Sequence, residues 1–103
     1  MKNIYSEEFK QLSKESKSII IDVRTSGEIE EGVIPGAIHI DMFSPDFMHQ
    51  IRNLEKDSTY LVYCRSGNRS SSACGAMASL GFNNVYNLIG GIGAWTGTIS
   101  SKQ

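Results

Sequence analysis

Three apolar runs of strand length stand out along a mixed chain. Ser18 to Val23 reads Ser-Ile-Ile-Ile-Asp-Val, Thr59 to Cys64 reads Thr-Tyr-Leu-Val-Tyr-Cys, and Asn84 to Leu88 reads Asn-Val-Tyr-Asn-Leu. The first two are short, continuous and rich in β-branched or aromatic residues. Such runs suit strands covered on both faces, as in a parallel sheet. Between the runs the spacing turns helical. Ser6 is placed to cap a helix in which Phe9 and Leu12 share a face. Thr25 or Ser26 caps a short helix through Glu31, with Gly32 as its stop. Ser44-Pro45-Asp46 starts another, with a hydroxyl cap, proline at the first position and an acid in the first turn. Phe47, Ile51 and Leu54 give it an apolar stripe. A small-residue helix runs from about Ser71 to Leu80 and ends at Gly81. Ile34-Pro35-Gly36-Ala37 reads as a turn, with glycine supplying the positive φ, and Ala37 to Ile40 as a short extended piece. After Gly90-Gly91, Ile92 to Trp95 starts a terminal helical turn. The tail from Thr98 to Gln103 is expected to fray.

Strands alternating with helices imply right-handed crossovers and an α/β fold, a parallel sheet with helices on both faces. In such sheets active sites lie beyond the carboxyl ends of strands. Cys64 sits at such an end.

The 103 residues fit one domain, spanning 1–103, with one apolar core. Ten Lys plus Arg against eleven Asp plus Glu give a net charge of −1, which argues against nucleic acid as a partner. No apolar run approaches the roughly 20 residues that cross a bilayer. The N-terminus has no apolar signal region and carries Glu7 and Glu8 early, so the expected location is cytoplasmic. Cys64 and Cys74 form no C-x-x-C pair. His39 and His49 complete no zinc spacing, so no metal is expected.

The chemistry concentrates in Cys64-Arg65-Ser66-Gly67-Asn68-Arg69-Ser70. A cysteine at a strand end leads through a loop into a helix, whose N-terminus offers free N–H groups and a positive dipole end. Gly67 and Asn68 tolerate positive φ, so the loop can turn further amides inward as an anion nest. Arg65 and Arg69 add charge. All of this favours thiolate over a free thiol of pKa about 8.5. Arg69 is placed at the site mouth to bind an anionic donor; Arg65 is as well placed to point outward.

Two reactions suit a cradled thiolate. It can take sulfane sulfur from a donor such as thiosulfate, or it can attack phosphorus or arsenate. The second needs a wider ring and is associated with C-x5-R. Here the spacing is C-x4-R, with Ser70 where that arginine would stand. The shorter ring favours a single sulfur over a tetrahedral oxyanion.

Other residues read as structural. Cys74, among Ala73, Ala76, Met77 and Leu80, is a small packed residue rather than a resolving thiol. Asp22 and Arg24 support the site from the end of a buried strand. Arg24 and Glu28, four apart, are expected to pair. Gly90-Gly91 and Trp95 shape a turn and cap the core.

Taken in order, Asp22-Val23-Arg24-Thr25, Glu28, Gly32, Ile34-Pro35-Gly36-Ala37, Val62-Tyr63-Cys64 with its loop, Asn87-Leu88, Gly90-Gly91 and Ala94-Trp95 resemble the single-domain rhodanese family. The resemblance covers roughly Ile19 to Trp95. It implies a rhodanese-like sheet of about five parallel strands, a persulfide on Cys64 as intermediate, and no metal or organic cofactor. It implies a sulfurtransferase, with the backbone from Arg65 to Arg69 as the sulfur cradle. The donor would be a small sulfur-containing anion or a protein persulfide, and the acceptor a thiol. Two positions depart from the family. Val33 replaces a frequent histidine, and Ser66 stands where the thiosulfate:cyanide enzymes carry lysine. The second departure keeps open a protein-borne persulfide carrier. A Cys-dependent phosphatase or arsenate reductase and a non-catalytic docking module are the remaining alternatives.

Overall fold

The computed structural model describes residues 1–101. Five parallel strands make one sheet: β1 (Lys2–Ile4), β2 (Ser18–Asp22), β3 (Ile38–His39), β4 (Thr59–Tyr63) and β5 (Asn84–Leu88). Their order is β1-β5-β4-β2-β3. β4 lies in the middle, with Ser18 to Asp22 of β2 on one side and β5 on the other.

Because successive residues of a strand face opposite ways, the run through β4 feeds two cores. Tyr60, Val62 and Cys64 join one cluster, with Phe47 and Ile51 of α3 (Phe47–Arg52) and Ala73, Cys74 and Met77 of α4 (Asn68–Ser79). Leu61 and Tyr63 join the other, with Phe9 of α1 (Ser6–Ser13), Ile4, Ile34 and Leu88. Trp95 packs edge-on to Phe9 there, with ring centroids 5.7 Å apart. The short α2 (Ser26–Ile29) follows β2 at the carboxyl edge of the sheet. A 3-10 turn, Gly91–Ala94, closes the fold after β5. The Ile34 to Ala37 turn forms as expected, with the Ala37 amide on the Ile34 carbonyl at 3.1 Å and Gly36 at φ +85°.

Several local expectations are corrected. β1 was invisible as a pattern, since only Ile4 of its three residues is buried. Ser6 is the first helical residue rather than the cap, and its hydroxyl accepts the Thr96 amide instead. Ser44-Pro45-Asp46 makes a turn ahead of α3 rather than its first turn. The Ser44 hydroxyl takes the Asp46 amide and its carbonyl takes that of Phe47, a local alternative to helix. The tail is pinned at Ser100, because Val33 and Ser100 exchange backbone hydrogen bonds of 2.8 and 2.9 Å. Residues 102 and 103 of the expected frayed tail lie outside the described residues. Among the described residues no helix is long and apolar enough to cross a membrane.

Candidate active site

Tyr63 is the last residue of β4, and Cys64 follows it directly. Gly67 then turns the chain at φ +103° straight into α4. The helix therefore starts at Asn68, three residues earlier than its apolar pattern suggests. Asn68, Arg69 and Ser70 form its first turn. Among the described residues positive φ is confined to glycines, so Asn68 does not share the turn and Gly67 supplies it alone. A side chain at Gly67 would also press on the Leu88 carbonyl and the Gly90 amide at 3.3 Å.

This entry aims the start of a twelve-residue helix at the Cys64 sulfur. Sγ is fully buried. The Gly67 amide donates to it at 3.1 Å and the Ser70 amide at 3.4 Å, and the Ser70 hydroxyl lies 3.4 Å away. Burial pushes the Cys64 thiol up. The Ser70 hydroxyl and the amides of Ser70, Gly67 and Ser66 pull it down by more, so it sits below its ordinary value. The cradle expected over Arg65 to Arg69 is thus shifted along the chain. Ser70 is part of it, and Asn68 and Arg69 contribute to the helix that carries it.

The peptide of Cys64 itself is gripped from behind. The Ile92 amide donates to the Cys64 carbonyl at 2.9 Å and that of Gly93 to the Arg65 carbonyl at 3.2 Å. Gly91, at φ +62°, lets the chain pass so close that a Cβ there would strike both carbonyls.

The two loop arginines do not stand free. Arg69 binds both oxygens of Glu28, at 2.7 and 2.8 Å. Arg65 is half exposed and bonds Glu28 and Glu31, each at 3.1 Å. Arg69 holds the Glu28 carboxyl far below the usual carboxylate range against the effect of burial, with help from Thr25 and Arg65. Glu28 is aimed by a capping box: Thr25 Oγ accepts the Glu28 amide, and the Glu28 carboxylate accepts the Thr25 amide. The expected Arg24–Glu28 pair does not form. Arg24 lies in extended chain before α2, where a spacing of two, not four, puts side chains on one face. Its partner is Asp22, at 2.8 Å, with both side chains buried. Arg24 also donates to the Gly32 carbonyl at 2.7 Å and stands 5.7 Å from the Tyr63 ring. The pair braces the end of β2; neither residue is bonded to the Cys64 sulfur.

Cys74 is buried in α4, and burial pushes its thiol up to about 12. Among the described residues no three His, Cys, Asp or Glu side chains gather as a metal site.

Two residues of the site escaped the sequence reading. Phe43, 66% exposed, lies over the Arg69 guanidinium at 6.0 Å. Nothing in its sequence neighbours marks it. Asn87 accepts a hydrogen bond from the Ser70 hydroxyl and donates to the Gly67 carbonyl. A polar residue inside a buried strand run was its only signal.

A cysteine at the end of the central strand, faced by amides at a helix start, marks this as a parallel α/β protein with a buried sulfur at the carboxyl edge of its sheet. The profile of the rhodanese-like domain matches residues 6–98, and the chain belongs to that family. It is 38% identical over 93 residues to the putative sulfurtransferase YtwF of Bacillus subtilis, covering 90% of this chain and 87% of YtwF. It is 37% identical over 102 residues to the thiosulfate sulfurtransferase GlpE of Pseudomonas putida, covering 98% of this chain and 90% of GlpE. The crystal structure of a rhodanese-like domain protein from Staphylococcus aureus superposes with a TM-score of 0.85 at 31% identity, covering all of both chains.

Proposed function

We propose that this protein is a sulfurtransferase that carries sulfane sulfur as a persulfide on Cys64. The observation that carries the reading is the buried Sγ facing the Gly67 and Ser70 amides at 3.1 and 3.4 Å. Those dipoles favour an anion at that point, whichever sulfur bears the charge. The names of YtwF and GlpE support the same activity.

The cycle needs no proton transfer. The Cys64 thiolate attacks the outer sulfur of thiosulfate. The bond between the two donor sulfurs breaks, and sulfite leaves with its electron pair. The negative charge now rests on the terminal sulfur of Cys64–S–S⁻. An acceptor thiolate attacks that sulfur, the S–S bond to Cys64 breaks, and Sγ returns as thiolate. Ser66, Gly67 and Ser70 hold the anion throughout. Asn68 and Arg69 keep the helix start in place. A single domain in a reducing cytoplasm suits both unpaired thiols.

A second reading is a carrier that takes persulfide sulfur from another protein. The pairing of Arg65 and Arg69 with Glu28 and Glu31 favours it. Two cations and two carboxylates cancel at the mouth, which weakens attraction for a dianion such as thiosulfate. The exposed Phe43 beside Arg69 offers such a partner an apolar contact.

Mass spectrometry of the Cys64 peptide after donor treatment tests both. One added sulfur is expected on Cys64 and none in Cys64→Ser. Loading by thiosulfate supports the first reading, and loading only by a protein or low-molecular-weight persulfide supports the second. Full sulfur transfer by Cys64→Ser would refute both.

A further inference from the structure

Asn87 sits buried in β5 behind the cradle. Its amide nitrogen donates to the Gly67 carbonyl at 3.2 Å and to Asn3 Oδ1 at 2.9 Å. A peptide carbonyl only accepts, so the Gly67 contact fixes which way the Asn87 amide faces. Its Oδ1 therefore meets Ser70 Oγ, 2.5 Å away. An amide oxygen also only accepts, so Ser70 must be the donor. The Ser70 hydroxyl has a single proton, and Cys64 Sγ lies 3.4 Å from the same oxygen. The sulfur and Asn87 thus want the same hydrogen.

A neutral Cys64 resolves this by giving its own S–H to the Ser70 oxygen. A thiolate has nothing to give. It gains the hydroxyl only if the O–H swings away from Asn87 and strands a buried Oδ1. We propose that Asn87 is a positioning residue that competes with Cys64 for the Ser70 proton and so weakens the support that hydroxyl gives the thiolate. A thiolate less deeply stabilised is a stronger nucleophile, because nucleophilicity falls as a thiol becomes more acidic. The benefit for sulfur transfer rests on the Cys64 persulfide reading; the contest for the proton does not.

The charged and titratable groups around Cys64 are Arg69 of α4 with Glu28 of α2, the neighbouring Arg65, the Asp22–Arg24 pair at the end of β2, and Cys74 of α4. None of them is hydrogen-bonded to Ser70 or Asn87 among the described residues, so they form a common background to every variant below.

The test is the pH dependence of iodoacetamide alkylation on the Cys64 peptide, followed by mass spectrometry. Asn87→Leu frees the Ser70 proton, and the midpoint falls by about half to one pH unit. In a Ser70→Ala background the same change moves it little. An equal shift in both backgrounds, or none in either, overturns the proposal. Should Asn87→Leu fail to fold, Ser70→Ala alone decides. Its midpoint rises by less than about half a unit, because a contested proton supports the thiolate only in part. A rise of a full unit overturns the proposal. Thiosulfate and persulfide loading of the parent protein is read in the same samples. If no donor loads Cys64, the sulfur-transfer reading falls and the midpoints still judge Asn87. If loading succeeds and the midpoints do not move, only the role of Asn87 falls.

Discussion

Both carboxylate oxygens of Glu28 are engaged by the Arg69 guanidinium, at 2.7 and 2.8 Å, and one of them also takes Arg65. This joins α2 to the start of α4 across the mouth of the site. It also fixes where Arg69 can reach.

Glu28→Gln isolates the charge in that link, since glutamine still completes a capping box with Thr25. The loss is expected to be about 1 kcal/mol by urea unfolding at neutral pH. The sign in pH follows from the lowered carboxyl. Glu28 contributes its stability fully above its unfolded value near 4.5, and that contribution is lost as pH falls toward the lower folded value. The two proteins should therefore converge in stability in acid. A gap that stays constant down to pH 3 would contradict the ion pair. Freeing Arg69 should also lower the KM for thiosulfate.

Asp22→Asn leaves the buried Arg24 charge without its partner. A loss of about 3 to 5 kcal/mol is expected. The double change Asp22→Leu with Arg24→Met should recover most of it, because two charges leave the interior together. Denaturant unfolding of the two variants beside the parent checks the pattern. A mild effect of Asp22→Asn would mean that water reaches the pair.

Gly91→Ala combines a left-handed backbone with a clash on the Cys64 and Arg65 carbonyls. It is expected to cost at least about 2 kcal/mol and to slow Cys64 alkylation. Gly75 faces open space in α4 and serves as the control. Gly75→Ala should be neutral or slightly stabilising, on helix propensity. Equal behaviour of the two variants in thermal unfolding would contradict the tight approach at Gly91.

The two cysteines should separate cleanly with pH. Cys64 is expected to alkylate with a midpoint below the ordinary thiol value of about 8.5. Cys74 should stay unmodified until the protein unfolds. Linkage gives a second check. A lowered thiol contributes stability fully above its unfolded value, and the contribution is lost as pH falls through the folded value. The stability of the parent over Cys64→Ser should thus grow as pH rises toward 8.5. A flat difference would indicate a neutral sulfur.

The two long apolar runs announced β2 and β4, and with them the position of Cys64. The glycine-containing loop announced a tight turn that brings backbone amides to the Cys64 sulfur. What the chain did not reveal were relationships set by tertiary packing. β1 is too short to show a period. The start of α4 is hidden because Asn68, Arg69 and Ser70 are polar, although Gly67 leaves the helix as the easy continuation. The partner of Glu28 could not be read from spacing, since Arg69 lies 41 residues away. Thr25-x-x-Glu28 carried a capping-box signature, which in retrospect marks Glu28 as belonging to α2 rather than to Arg24. The bonding of Asn87 could not be read from its neighbours in sequence, because its partners come from β1, α4 and the turn before α4.

The donors around the Cys64 sulfur are two amides and a neutral hydroxyl, and none carries a mobile counterion. Electrolyte weakens attractions between solvated charges, but it screens a 3.1 Å contact to a buried sulfur far less. The reactive form of this cysteine should therefore persist from dilute buffer to brine, a tolerance denied to a thiol activated by an exposed lysine.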